Sequence, residues 1–150
     1  ALHALRSRGF VLLVVSNQSV VGRGLMSLEA MQALNRQIET ELLRLGGGVD
    51  ASYLCPHAPE EGCACRKPQP GLLLQAAQDW QVDLRRSFLV GDALTDLQAA
   101  RSAGAQPLLV RSGRGAAQER LLAAQDWPGL PIWDDLSGAA QWIDAQLGVQ

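Results

Sequence analysis

A disulfide framework, a membrane span and a nucleic-acid-binding surface all lack support in this sequence. Three cysteines in 150 residues leave one thiol over after any pairing, which argues against disulfides. The one continuous apolar run of note, residues 10–15, is far short of the ~20 residues that a spanning helix needs. The first residues lack the pattern of a signal peptide. A formal net charge of −2, with no run of like charge, provides neither a basic field for nucleic acid nor a charged tail. The expectation is a cytoplasmic protein without nucleic-acid or membrane partners. Aromatic residues are scarce at 5%, so the four tryptophans, Trp80, Trp127, Trp133 and Trp142, are expected to plug seams between sheet and helices.

What is present is a chain that is 47% hydrophobic, long enough for one domain, residues 1–150, with a real core. Its chemistry concentrates in one stretch. All three cysteines and one of the two histidines fall between Cys55 and Cys65. Cys55, His57, Cys63 and Cys65 supply three thiolates and one imidazole, the set that closes a tetrahedral structural zinc site, and each outer pair is separated by one residue. The spacing is not that of a zinc finger. Pro56, Pro59 and Gly62 keep the segment out of helix and strand, so an ion supplies rigidity that apolar packing cannot. The alternative is a set of ordinary reduced thiols, some packed in a core. Against it, Cys63 and Cys65 sit among Glu61, Gly62 and Arg66, poor company for buried sulfur. The loop runs directly into Arg66 and Lys67, a basic pair suited to phosphate.

Along the chain, Ala1, Leu2, Ala4 and Leu5 have helical spacing, ended by Gly9, with no capping residue in front. Phe10 to Val15 predicts a strand covered on both faces, which Ser16-Asn17-Gln18-Ser19 ends sharply. Small polar residues at that position suit phosphate oxygens, although a plain strand exit has the same composition. After a Gly22-Arg23-Gly24 turn, Ser27 predicts a helix cap, with Glu29 in the first turn. The stripe Leu28, Met31, Leu34, Ile38, Leu42 and Leu45 is expected to face a core, and Gly46 to Gly48 stop the helix.

Val49 to Leu54 predicts a second strand. Pro70 and Gly71 start a helix with Leu72, Leu73, Ala76, Ala77 and Trp80 inward. A strand over Ser87 to Val90 leads through Gly91, Asp92 and Asp96 into a helix over Leu94 to Ala103 that Gly104 ends. Then come a strand over Leu108 to Val110, a basic turn over Arg111 to Gly115, a helix over Ala116 to Ala124, a short edge strand over Pro131 to Trp133, and a closing helix over Leu136 to Leu147. Strands alternating with helices predict a Rossmann-like α/β fold: a parallel sheet with helices on both faces. The carboxyl ends of such strands open on one crevice. There, hydroxyl, amide and lysine groups hold phosphoryl oxygens, and Asp92 holds a magnesium ion or merely caps a helix. Asp96 orients Lys67 or Asp92.

Val14-Val15-Ser16-Asn17-Gln18-Ser19, Cys55-Pro56-His57, Cys63-Ala64-Cys65-Arg66-Lys67-Pro68 and Val90-Gly91-Asp92-Ala93-Leu94-Thr95-Asp96 resemble the second, zinc-loop, third and fourth motifs of the haloacid-dehalogenase-like (HAD) phosphatases. The resemblance covers nearly the whole chain. It is closest to the branch that acts on D-glycero-D-manno-heptose 1,7-bisphosphate and histidinol phosphate. The resemblance implies magnesium-dependent hydrolysis of a sugar phosphomonoester through a phospho-aspartate. In it, Ser16 and Lys67 stabilise the transferring phosphoryl group, Asn17, Gln18 and Ser19 contact substrate, and Arg66 contributes to substrate choice. Asp92 is implied as magnesium ligand and Cys55, His57, Cys63 and Cys65 as zinc ligands. Arg66 and the Arg111 to Arg114 turn suit a second phosphate on the substrate. Histidinol phosphate is the alternative substrate, and an inert zinc- and phosphate-binding module is the alternative of another class.

The family's first motif, Asp-x-Asp-Gly-Thr, which supplies the nucleophile, the general acid and further magnesium ligation, has no counterpart in the sequence. Ten residues precede Val11, whereas a strand-helix-strand unit needs about 30. That motif's strand lies at the centre of the family's sheet, so two half-sheets with unpaired edges are expected. The expectation is therefore an amino-terminally truncated HAD-like domain, from a longer enzyme or a shortened gene model, monomeric when full length and inactive alone.

Overall fold

The computed structural model describes residues 1–122 and 126–147. The chain forms two compact units, Ala1–Arg66 and Lys67–Gln150.

The first unit runs α1 (Leu2–Ser7), β1 (Leu13–Asn17), α2 (Leu28–Arg44) and β2 (Ala51–Cys55). β1 and β2 pair in parallel, from Leu13 opposite Ala51 to Asn17 opposite Cys55. The ladder starts later and ends later than Phe10–Val15. The Phe10 N–H still bonds the Leu5 carbonyl at the exit of α1, and the Leu12 N–H goes to the Asp50 carboxylate at 2.7 Å. Asp50 also pairs with Arg6 at 2.8 Å, so one carboxylate ties α1 to the start of both strands. At the other end Ser16 and Asn17 stay in the ladder opposite Leu54 and Cys55 instead of breaking it. Nor is β1 covered on both faces, for none of its five residues is buried.

Ser27 caps α2 as predicted, its side chain accepting from the Ala30 N–H at 3.1 Å. The expected stripe is a different matter. Only Met31 is buried, while Leu28, Leu34, Ile38 and Leu45 are exposed. Two strands about 5 Å apart offer little width to a helix about 10 Å across. Asn35 donates to Glu39, which also accepts from Ser52 of β2, so polar contacts take part of the place of the predicted apolar seam. Gly46 lies in the left-handed region at φ +79° and ends the helix.

The second unit runs α3 (Gly71–Trp80), β3 (Phe88–Gly91), α4 (Leu94–Ala103), β4 (Gln106–Val110), α5 (Gly115–Leu122), β5 (Ile132–Trp133) and α6 (Leu136–Leu147). The order is β3-β4-β5, all parallel. Leu108, Leu109 and Val110 are buried in succession, which requires cover on both faces of β4. The buried residues Leu97, Ala99 and Ala100 of α4 and Ala139, Ala140 and Ile143 of α6 belong to the same core. Leu72, Leu73 and Ala76 of α3 point inward as predicted, but Trp80 does not, at 39% exposed. It closes the last turn of the short α3, ahead of the left-handed Gln81, beyond the buried part of the helix. Trp142 meets Phe88 edge-on at 6.0 Å, and Trp133 lies against Gly138 of α6. Trp127 instead lies under the Arg101 guanidinium at 3.5 Å, a cation-π contact. The predicted end of α5 at Ala123 and Ala124 falls outside the described residues.

Among the described residues β1 pairs only with β2, and β3 only with β4, which is the expected pair of half-sheets. No described helix is long and apolar enough to cross a membrane.

Candidate functional site

β2 delivers Cys55 to the end of its strand, fully buried. The chain then turns through Pro56 and a short 3-10 turn, Pro59–Glu61, ended by Gly62 at φ +62°. That turn corrects the expectation of a segment free of helix; proline suits the first position of such a turn. The Glu61 carboxylate accepts from the Ala58 N–H, and the Arg66 guanidinium donates to the His57 carbonyl at 3.1 Å. Both fold the loop back on itself.

The result is a cluster in which the ligand atoms of Cys55, His57, Cys63 and Cys65 lie within 4.8 Å of one another. The sulfurs of Cys55, Cys63 and Cys65 are 3.1, 3.3 and 3.5 Å apart. His57 Nδ1 is 3.5 Å from Cys55 and 3.2 Å from Cys65. Bond lengths of about 2.3 Å to sulfur and 2.0–2.1 Å to nitrogen set ligand-to-ligand edges of roughly 3.5–3.8 Å around tetrahedral zinc, so the four atoms already approach that figure. Burial raises the Cys65 thiol, and the sulfurs of Cys55 and Cys63 push it further, to about 12. Burial also disfavours the Cys63 thiolate, but hydrogen bonds from Cys65, Cys55 and the backbone outweigh it and bring Cys63 down to about 7. Three sulfurs this close cannot all be thiolates unless a cation joins them. The donor set and its geometry therefore fit zinc.

The parallel register places Ser16 to Ser19 beside this loop. Asn17 is opposite Cys55, the Gln18 N–H bonds the Cys55 carbonyl at 2.7 Å and the Gly22 N–H bonds the Pro56 carbonyl at 2.8 Å. The Gln18 amide donates to the Ser16 hydroxyl at 3.0 Å. Gly22 has no room for a side chain, because a Cβ would strike the Ala58 N–H and lie 2.5 Å from Glu61 Oε2. Nothing in sequence spacing singled out this close approach.

In the second unit, Lys67 Nζ is 2.7 Å from Asp96 Oδ1, with side chains 11% and 9% exposed. Asp96 Oδ2 accepts from the Ala93 N–H at 3.0 Å, so Asp96 both orients Lys67 and satisfies the first turn of α4. The cap alternative for Asp92 is thereby set aside, since Ala93 stands at the cap position. Gly91 allows the arrangement, as a Cβ there would collide with Asp96.

Asp92 turns instead to the β4–α5 turn. Its Oδ2 accepts from the Arg114 N–H at 3.0 Å, and Arg114 Nη2 lies 3.4 Å from Oδ1. Burial pushes the Asp92 carboxyl up, but the Arg114 backbone and guanidinium prevail and hold it below the ordinary carboxylate range. It is ionised at neutral pH and able to ligate magnesium, which usually takes one or two carboxylates plus phosphate oxygens and water. The basic turn does not present Arg111 freely to a second phosphate. Arg111 pairs with Glu119 at 2.7 Å and Asp134 at 2.8 Å, and these carboxylates raise its already high value further. Arg114 as the partner of Asp92 was missed, although the Arg-Ser-Gly-Arg-Gly turn at a strand end was the signal.

A HAD-hydrolase-like family model matches residues 64–139. The D-glycero-beta-D-manno-heptose-1,7-bisphosphate 7-phosphatase of Bordetella bronchiseptica is 39% identical over 144 residues, 95% of this chain and 79% of the relative. The Pseudomonas aeruginosa protein of that name is 38% identical over 140 residues, 93% and 77% of the two chains. Among solved structures, D,D-heptose 1,7-bisphosphate phosphatase from B. bronchiseptica, complexed with magnesium and phosphate, superposes with a TM-score of 0.87 at 37% identity, over 97% of this chain and 80% of the other. The Burkholderia thailandensis phosphatase gives 0.72 at 28% identity, over 96% and 81%. The motif resemblance, the parallel α/β architecture and these matches agree, and the chain belongs to the HAD-like hydrolase family.

Proposed function

We propose that this protein is a phosphatase that hydrolyses a sugar phosphomonoester, with D-glycero-β-D-manno-heptose 1,7-bisphosphate as substrate, the compound named in its relatives. The observation that carries the reading is the Lys67–Asp96 pair. A nearly buried carboxylate fixes an ammonium at 2.7 Å, at the strand end that also carries Asp92. A preoriented cation of this kind stabilises charge on phosphoryl oxygens without reorganising during the reaction. Ser16 donates its hydroxyl to the phosphoryl group, Asn17, Gln18 and Ser19 contact the substrate, and Arg66, held by the His57 carbonyl, biases the choice toward anionic substrates. Asp92 holds magnesium, which supplies further positive charge toward the phosphoryl oxygens. Cys55, His57, Cys63 and Cys65 hold zinc, whose role is to keep the loop that carries Arg66 rigid.

Arg66 favours the bisphosphate over histidinol phosphate, since an amine-bearing substrate prefers acidic neighbours. A second reading is phosphate and zinc binding without turnover, for which the Cys55, His57, Cys63 and Cys65 cluster suffices. Phosphate release from the two substrates, measured side by side with magnesium, separates these readings. Release from the heptose bisphosphate supports the proposal. Release from histidinol phosphate alone overturns the substrate assignment, and bisphosphate binding without release supports the second reading.

A further inference from the structure

The Asp92 carboxylate has two unlike oxygens. Oδ2 is anchored by a backbone N–H at 3.0 Å, and the left-handed Gly113, φ +69°, leaves room for it, because a Cβ would lie 2.5 Å away. Oδ1 has a long side-chain contact, Arg114 Nη2 at 3.4 Å. That side chain is 73% exposed, against 33% for Asp92. The first contact is short and built into the turn, whereas the second is long, exposed and easily broken.

The turn itself is stiffly held. Arg111 grips Glu119 through two nitrogens at 2.7 and 2.9 Å and Asp134 through a third at 2.8 Å. The Ser112 N–H bonds the Asp134 carbonyl at 2.9 Å, and Gln118 Oε1 accepts from the Leu94 N–H at 3.1 Å. These contacts fix the Arg114 backbone against Asp92 without restraining the guanidinium.

From this asymmetry we infer that Arg114 is a positioning residue for the metal carboxylate, whose backbone N–H orients Asp92 while its guanidinium is a resident counter-cation that magnesium displaces from Oδ1. The inference rests on Asp92 being the magnesium ligand. It separates the backbone of Arg114, which aids metal binding, from its side chain, which competes with the metal. Removing the side chain therefore tightens magnesium binding, whereas a residue that merely supported the fold would weaken it when removed.

Calorimetric titration of the protein with magnesium chloride alone tests this. An exposed pair contributes little, so Arg114→Ala and the neutral Arg114→Gln are each expected to bind magnesium about 2–5-fold tighter than the unaltered protein. Arg114→Lys, which keeps a positive charge, binds with close to the unaltered affinity, and Gly113→Ala binds more weakly because its Cβ displaces Oδ2. Unchanged or weaker binding in both neutral variants overturns the inference. Asp92→Asn separates the two levels. If it abolishes binding while the neutral variants are unchanged, the metal assignment survives and the displacement fails. If it binds like the unaltered protein, Asp92 is not the ligand and both fail; if the unaltered protein binds no magnesium, the displacement fails.

Discussion

Asp96→Ala is the substitution whose cost follows most directly from the structure. Asp96 is 6% exposed and has two partners, the Lys67 ammonium at 2.7 Å and the Ala93 N–H at 3.0 Å. Deleting the carboxylate takes the counter-charge from Lys67, 11% exposed, which costs about 3–5 kcal/mol. The lost acceptor at the start of α4 adds about 1 kcal/mol. With a urea m-value of about 1–3 kcal/mol/M, the midpoint falls by at least about 1 M. Asp96→Asn keeps the acceptor and costs the charge contribution alone. Removing both charges in Lys67→Met with Asp96→Asn leaves no buried ion, so the double variant is more stable than Asp96→Ala. Urea unfolding followed by circular dichroism reads all three. A loss below about 1 kcal/mol for Asp96→Ala, the range of a surface pair, would refute the reasoning, as would a double variant less stable than either single one.

Cys63→Ser removes one of four ligands, and elemental analysis of the purified variant should show zinc well below the unaltered protein; equal zinc would remove the cluster from the account. Gly22→Ala forces a Cβ against Glu61 and the Ala58 N–H, so a loss of about 1–3 kcal/mol is expected, accompanied by weaker zinc retention, measured by competition with a chelating dye. Hydrogen bonds from Arg111 hold the Glu119 carboxyl below its ordinary 4.5. Because the folded value is depressed, that stabilisation is present above pH 4.5 and is lost as pH falls through the lower folded value. Glu119→Gln should therefore flatten this part of the acid limb, read as thermal midpoints across that range.

Features that depend on neighbours in sequence were the legible ones. Ser27 caps its helix because a hydroxyl three residues before Ala30 has one geometry to satisfy. The cysteine loop could be read because four ligands of the right chemistry lie within eleven residues, and its closure needs only local turns. Features that depend on remote partners were not legible. Whether Leu34 and Ile38 are covered depends on how wide a sheet α2 meets, and the stripe is the same either way. The true start of β1 depends on Asp50 capturing the Leu12 N–H, 38 residues away. Asp92 and Asp96 look alike in sequence, four positions apart, yet one meets Arg114 and the other Lys67. Their division of labour follows from Gly91 and Gly113, which admit the two carboxylates at close quarters.

Binding of orthophosphate in the presence of magnesium tests the central claim most directly, because Lys67 is the chain's only lysine. The comparison is between the unaltered protein and Lys67→Met with Asp96→Asn, a variant without a buried unpaired charge. A charge-assisted hydrogen bond contributes about 1.5–3 kcal/mol, so the account predicts affinity roughly 10–150-fold weaker in the variant. Equal affinity in the two proteins would contradict it, because the ammonium fixed by Asp96 would then not be holding the phosphoryl oxygens.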